Sequence, residues 1–141
     1  MVKKAASAYY EIIIKTLVFI TLIATAVSFF GVFTVYMNLN YAAKRVVREV
    51  EITGQVTSAT YNLFEEYKNN TNIGSGAVMN ITADRYFDAG TKKIQLRTNF
   101  TVTCRTIYRI NIFTPKGGNS IGIDVPLTVK LTGMCEKYWK N

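Results

Sequence analysis

An uncharged run of 22 residues, positions 16–37, constrains this chain more than any other feature of the sequence. As an α-helix it would be roughly 33 Å long at about 1.5 Å per residue, which is enough to cross the hydrocarbon core of a bilayer. A secretory signal has a shorter apolar region of about 7–15 residues that ends at a small-residue cleavage site. The length therefore predicts a transmembrane helix. Small residues in the following "NLNYAAKR" keep conventional cleavage as the alternative.

The rest of the composition argues against an enzyme. The chain of 141 residues has no histidine, which removes the commonest general base and metal ligand. Its two cysteines are too far apart in sequence to form a zinc motif, and no phosphate-binding glycine loop is present. The sequence predicts no catalytic residue, no metal site and no cofactor. The net charge of +8 comes from scattered basic residues, so the sequence does not predict DNA as a partner.

Charges on both sides of the apolar run bear on its orientation. Lys3 and Lys4 precede the run and favour a cytoplasmic N-terminus. Lys44, Arg45 and Arg48 follow it and weaken this bias. The orientation therefore depends on other features.

A helical pattern continues beyond the apolar run. Residues spaced alternately by four and three share one helix face: Val46, Val50, Thr53, Thr57, Thr60, Phe64 and Tyr67. We expect a membrane or filament-core helix over residues 7–38 and an amphipathic helix over 39–68, continuous unless broken at "NLN" (38–40) or at Gly54. The amphipathic part is expected to pack on the C-terminal domain.

The period changes in the C-terminal half. In "KIQLRTNFTVTCR" the apolar residues fall on even positions (Ile94, Leu96, Phe100, Val102 and Cys104), and in "IGIDVPLTVKLTG" the odd positions from Ile121 to Leu131 are apolar. Each pattern predicts a strand with one buried face, and Pro126 predicts that the second strand is an edge strand or contains a bulge. A weaker strand at "AVMNITA", a turn at "FDAGTKK" and a reversal at "TPKGGN" complete an antiparallel sheet of three or four strands over residues 69–141. The predicted fold class is α+β.

The two cysteines fall on the inward positions of these strands. Cys104 is on the even face of the first strand, and Cys135 continues the odd parity of the second. In an oxidising compartment a Cys104–Cys135 disulfide would close a loop of about 32 residues and stabilise the fold by roughly 3–4 kcal/mol. Two buried free thiols are the alternative.

The N-terminus resembles those of type IV prepilins and TadE-like pseudopilins. The shared layout is a short basic leader, a small residue, a carboxylate and a long apolar helix, here "KKAA" followed by "SAYYE". The resemblance implies a leader over residues 1–6 that is cut between Ala6 and Ser7, which makes Glu11 the fifth residue of the mature chain. The family usually has glycine before the cut, where this chain has alanine.

Two further motifs resemble an uncharacterised bacterial family of membrane-anchored, pilin-like proteins. They are "VVREVEITGQV" and "LTGMCEKYWK", where members of that family tend to read "ELVREAEIAG" and "TGKSEVYWK". Cys135 occupies the position of the usual serine. The resemblance implies a pilin-like architecture, a C-terminal domain outside the cell, and a prepilin peptidase and a pilus assembly platform as partners.

Glu11 is the residue whose role the sequence leaves most open. A carboxylate in a bilayer helix costs free energy and usually marks a function or a partner. Lys15 is spaced at i+4 for an ion pair within the same helix. The alternative is a positive group on a neighbouring subunit, either a freed N-terminal amine or the Lys15 of the next helix, which would fix the register of a filament.

Taken together, these features predict a structural subunit. We expect a pilin that waits in the membrane as a single-pass monomer, surrounded by lipid, and then assembles with copies of itself into an extracellular filament. The alternatives are a minor pseudopilin or an unpolymerised component of a Tad-like secretion or conjugation machine. A membrane-anchored binding module for a substrate or DNA is the third class.

Overall fold

The computed structural model describes residues 2–113 and 120–140, with side chains described for residues 9–111 and 120–140. The predicted α+β class is confirmed: a long N-terminal helix and a short second helix accompany two small antiparallel sheets. In chain order the elements are α1 (Val2–Thr53), α2 (Ser58–Asn70), β1 (Val78–Ala83), β2 (Tyr86–Asp88), β3 (Lys93–Ile94), β4 (Asn99–Phe113) and β5 (Ile121–Met134). The predicted reversal at 114–119 lies outside the described residues.

The chain forms two units, and the boundary between them falls inside α1. The first unit ends at Phe33 and the second begins at Thr34. From residue 9 to residue 33 the first unit is helix with nearly all its side chains exposed, including large apolar ones on every side of the helix. Among them are Ile13, Leu17, Phe19, Ile20, Leu22, Val27, Phe29 and Phe33, each more than half exposed.

The part of α1 in the second unit has one buried face. Apart from the adjacent pair Ala42 and Ala43, its fully buried positions are separated by three or four residues, the spacing of one helix face: Val35, Leu39, Ala42, Ala43, Val46 and Val50. This face packs on the sheet, where a Cβ placed on Gly133 of β5 would lie 2.7 Å from the Val47 side chain. Glycine at this position therefore allows the helix and the strand to approach closely.

The helix does not break at "NLN", so that predicted weak point is wrong. Leu39 is completely buried, and Asn38 donates a side-chain hydrogen bond to Asn72 at 2.6 Å. Packing and this bond outweigh the poor helix propensity of asparagine. The side-chain oxygen of Asn40 is buried and has no hydrogen-bond partner among the residues that the structure describes.

The second predicted weak point, Gly54, does end the helix. Gly54 has a φ of +69°, a conformation that glycine adopts without steric cost, and its amide still donates to the Val50 carbonyl at 2.9 Å. The amphipathic pattern predicted as one helix over 39–68 is therefore divided between α1 and α2. α2 begins after Thr57, whose amide donates to the Thr60 hydroxyl at 3.3 Å.

The main sheet has the strand order β1-β4-β5, with all neighbours antiparallel. The predicted alternation is confirmed in the centre of β4, where Phe100, Val102 and Cys104 are buried and the residues between them are not. The strand begins at Asn99, later than the pattern suggested, because Arg97 has a φ of +57° and interrupts the extended chain. β2 and β3 form the smaller sheet around the predicted turn at "FDAGTKK".

β5 lies at the edge of the main sheet, as Pro126 predicted. Of the odd-numbered apolar residues predicted to face inward in this strand, only Leu127 and Val129 are buried. Ile121 and Ile123 share this parity yet remain 62% and 57% exposed. The first half of β5 and the part of β4 that pairs with it therefore extend past the core.

Candidate functional site

Glu11 and Lys15 pair with each other in the first unit. The ammonium of Lys15 donates to a carboxylate oxygen of Glu11 at 2.6 Å, the i,i+4 arrangement that the sequence allowed. Both side chains are more than 60% exposed. The arrangement places one neutralised charge pair near the start of an otherwise apolar helix surface.

The polar side chains of the apolar run bond to their own helix. Four hydroxyls donate to the carbonyl one turn earlier at 2.8–2.9 Å: Thr16 to Ile12, Thr21 to Leu17, Thr25 to Thr21 and Ser28 to Ala24. This back-bonding satisfies a hydroxyl without water. The segment can therefore be covered by lipid or by another helix at no cost for these groups.

Two shallow apolar clefts lie on the same surface. Ala26, Phe29, Phe30 and Phe33 line one of about 430 Å³, and residues between Ile12 and Thr21 line another of about 490 Å³. Both clefts have apolar walls on a single helix, so they fit acyl chains or the side chains of a second helix better than a polar ligand.

The two motifs that carried the family resemblance meet in the second unit. At the end of the first motif, the Gly54 carbonyl accepts hydrogen bonds from the Ile94 amide at 2.8 Å and from the indole nitrogen of Trp139 at 3.3 Å. The Glu136 amide donates to the Glu51 carbonyl at 3.1 Å. A Cβ on Gly54 would overlap the Lys137 side chain, so the contact requires glycine.

Lysines surround the tryptophan at this junction. The ammonium of Lys93 lies 4.7 Å from the centre of the Trp139 ring and that of Lys137 lies 5.9 Å from it. Both distances suit cation–π attraction. Because Trp139 is partly buried and hydrogen-bonded to the end of α1, the junction fastens the C-terminus to the helix rather than presenting a pocket. Sequence reasoning missed this contact, since nothing local in either motif points to the other.

The predicted Cys104–Cys135 disulfide is wrong, although both thiols are buried as expected. Cys104 of β4 lies opposite Val129 of β5. The amide of Cys135 donates to the carbonyl of Thr98, which is six residues before Cys104. At about 3.3 Å per residue this separates the cysteines by roughly 20 Å, and a disulfide needs Cα atoms within about 7 Å. Burial raises the pKa of the Cys104 thiol to about 12, and Cys135 donates to the Ile94 carbonyl at 3.4 Å.

The remaining predicted positions are those of leader processing. Ala6 and Ser7 lie in α1, and their side chains are outside the described residues.

Asp88 accepts hydrogen bonds from the Thr91 hydroxyl at 2.6 Å and the Gly90 amide at 2.9 Å, which lower its pKa and shape the turn between β2 and β3. In the part of the chain that the structure describes, no three His, Cys, Asp or Glu side chains could hold a metal ion.

The fold defines an α+β protein with one N-terminal helix, Tyr9–Thr53 in its fully described part, that is long and apolar enough to be compatible with a single-pass membrane anchor. A family model described as "Domain of unknown function (DUF4320)" matches residues 16–140, and the chain belongs to this family. The match includes both motifs at the Gly54 junction and begins after Glu11 and Lys15. Comparison with curated proteins gave no match, and neither did comparison with solved structures.

Proposed function

We propose that this chain is a pilin-like structural subunit that polymerises through its N-terminal apolar helix into an extracellular, type IV pilus-like filament. One observation carries the proposal: residues 9–33 expose apolar side chains on all sides, whereas the next part of α1 is covered by its own sheet unit. A helix that is apolar all round needs lipid or other helices around it. In the proposed pathway lipid surrounds this helix before assembly, and helices of other copies surround it in the filament.

The proposed sequence of events begins in the membrane. Monomers wait as single-pass proteins with the second unit outside the cell, and an assembly platform extracts them. Helices then exchange lipid contacts for contacts with other copies, while the sheet units form the outer wall. Since packing in a helix bundle is close, satisfied hydroxyls such as those of Thr21 and Ser28 are compatible with the core. The role is structural and does not require catalysis.

Glu11 would set the register in this polymer. In the monomer its carboxylate is neutralised by Lys15. In the filament the same carboxylate would face a cation of a neighbouring subunit, either the amine of Ser7 after processing or a second Lys15. A charge buried between helices without such a partner is costly, so only registers that pair it are stable.

The test is to shear filaments from cells and analyse them by intact-mass and N-terminal mass spectrometry. We expect this chain to be a major component of the sheared fraction, with Ser7 as its first residue if a prepilin peptidase processes it. Finding all of the protein in the membrane fraction would overturn the major-subunit role. The Glu11→Ala variant is expected to insert in the membrane normally but to yield few filaments, with Lys130→Ala as the matched control.

A second candidate is a minor pseudopilin or an unpolymerised, membrane-anchored component of a Tad-like secretion machine. The observation that favours it is the closed Glu11–Lys15 pair, which neutralises the carboxylate without any neighbour. In that case the chain would purify with the machine's inner-membrane complex at low copy number, and Glu11→Ala would leave its location unchanged.

A further inference from the structure

The outer edge of β4 is open beyond the start of β1. β1 pairs with β4 only as far as Val78, which lies opposite Arg105, while β4 continues to Phe113. On the side away from β5, no backbone group of the described residues bonds to β4 between Ile107 and Asn111. In this edge segment, residues 107–111, the amide and carbonyl groups that point away from β5 have no backbone partner among the described residues, which is the condition in which a strand edge can accept another strand.

The free edge of β5 is protected in ways that this segment is not. Pro126 interrupts the free edge of β5, and Lys130 adds a charge further along it. Proline and lysine are the residues that natural proteins use to block unwanted strand pairing. Residues 107–111, "IYRIN", contain no proline and no lysine.

A cleft of about 280 Å³ opens where the edge segment meets β1. Val78, Ile107 and Pro126 line it and are exposed, Val78 by 61% and Ile107 by 67%. Register places these three on one face of the sheet, since Ile107 pairs with Pro126 and Val78 with Arg105. A strand added beside β4 would continue the line of β1 and place every second side chain in or near this cleft.

The charges along the edge identify what kind of strand fits. Arg105 and Arg109 flank Ile107 on the same face and both are exposed. Asp124 of β5 lies 3.9 Å from Arg109, and both side chains of that pair are more than half exposed. A second copy of this chain would bring its own arginines against these, and each chain already carries a net charge of +8. An acidic partner is favoured instead.

We propose that the edge segment of β4 is a docking site for an extended, acidic segment of another protein, which adds as a strand beside β1. Main-chain hydrogen bonds to residues 107–111 provide affinity, an apolar side chain enters the cleft beside Ile107, and carboxylates on the same face lie near Arg105 and Arg109. This site goes beyond the proposed polymerisation, which depends on residues 9–33, so either can fail without the other.

The test uses the full chain in nanodiscs of neutral phosphatidylcholine and a fluorescein-labelled ten-residue peptide that alternates glutamate with valine. Fluorescence anisotropy measures binding. We expect saturable binding that is lost when alternate peptide nitrogens are methylated, because methylation removes the donors of the added strand. A peptide with lysine in place of glutamate is expected not to bind.

Matched variants locate the site. Arg105→Glu is expected to weaken binding about tenfold or more, while Lys130→Glu, the same change of charge on β5 opposite Thr103 and away from the edge segment, changes it less than about twofold. Equal effects of the two variants, or undiminished binding of the methylated peptide, would overturn the proposal. So would the absence of any binding. Self-association of the free chain that Ile107→Glu abolishes would also overturn it, because the edge would then belong to a second copy.

Discussion

The two parts of α1 share a high apolar content but have opposite environments. Residues 9–33 and the positions from Val35 to Val50 are both rich in apolar side chains on a single continuous helix. The later positions are buried by the chain's own sheet, whereas the earlier ones are exposed around the whole helix. The apolar side chains of the second part are covered by their own chain, whereas those of the first part can be covered only from outside the chain.

This difference assigns a role to each part. The second part contributes to the stability of the folded unit, because substitutions there disturb a packed interface. The first part contributes little to that stability, because its side chains from residue 9 to residue 33 are nearly all exposed. Its apolar surface is instead available to lipid and, in the proposed polymer, to other copies. We therefore expect substitutions in the second part to change the free energy of unfolding, and substitutions in the first part to change contacts with lipid or other copies.

The largest expected contrast is between two phenylalanines. Phe100 is 1% exposed in the core of the second unit, and Phe29 is 68% exposed on the first. Phe100→Ala is expected to lower the free energy of unfolding of the second unit by about 3–5 kcal/mol, through lost burial and the cavity left behind. Phe29→Ala is expected to leave it unchanged. Denaturant unfolding in detergent, followed by near-ultraviolet circular dichroism, measures both, and similar losses would contradict the division of α1.

A second contrast enlarges alanines in the two parts of the helix. Ala42 is fully buried, so Ala42→Leu must force its neighbours apart and is expected to cost about 1–3 kcal/mol. Ala26 is exposed in the first unit, and Ala26→Leu is expected to be neutral in the same unfolding measurement. In sheared fractions Ala26→Leu is expected to reduce filament yield. A yield unaffected by the larger side chain would argue that no other helix packs closely at Ala26.

The buried thiol of Cys104 gives the second unit a pH dependence. Its pKa is raised from 9.0 to about 12 by burial, so above pH 9 the unfolded chain binds fewer protons than the folded one. Stability is therefore present at neutral pH and falls as the pH rises from about 9 towards 12, by at most about 1.4 kcal/mol per pH unit for this group. Comparing wild type with Cys104→Ala isolates the slope from that of lysines and tyrosines. Equal slopes would contradict it.

The smallest expected effect on stability is that of the Glu11–Lys15 pair. Exposed i,i+4 pairs contribute about 0.3–0.5 kcal/mol, so Glu11→Gln should scarcely change the unfolding of either unit. Its expected effect is on assembly, where the carboxylate needs a cation from a neighbour. Normal filament yield from Glu11→Gln would show that the pair serves its own helix only.

Periodicity predicted most of the fold because the helix and strands that form the core bury residues at regular intervals. Alternation located β4 and β5 and their inward faces, and the transition from the apolar run to an amphipathic pattern located the two parts of α1. Gly54 was predictable as a helix end because its conformational freedom is local chemistry. Asn38–Leu39–Asn40 was not, since the burial of Leu39 overrides a weak local preference.

Other features depend on where along a strand a residue lies. The alternation of residues shows only which face of the strand it is on. Parity placed Cys104 and Cys135 on the same face, but the register of β4 and β5 and the φ of Arg97 decide how far apart they lie. The exposure of Ile121 and Ile123 likewise depends on where the core ends. The junction between Gly54 and Trp139 joins residues that are 85 apart in sequence, and no local pattern announces it.

The central claim is that the first part of α1 contacts other copies of the chain. The most direct test is oxidative crosslinking in cells that express Val27→Cys or Val46→Cys, with the native cysteines replaced by alanine. Val27 is 64% exposed and Val46 is fully buried. The account predicts disulfide-linked dimers of Val27→Cys in the sheared filament fraction and none for Val46→Cys. If Val27→Cys stays monomeric in every fraction and reacts fully with a membrane-permeant maleimide, the helix contacts only lipid and the polymer does not exist.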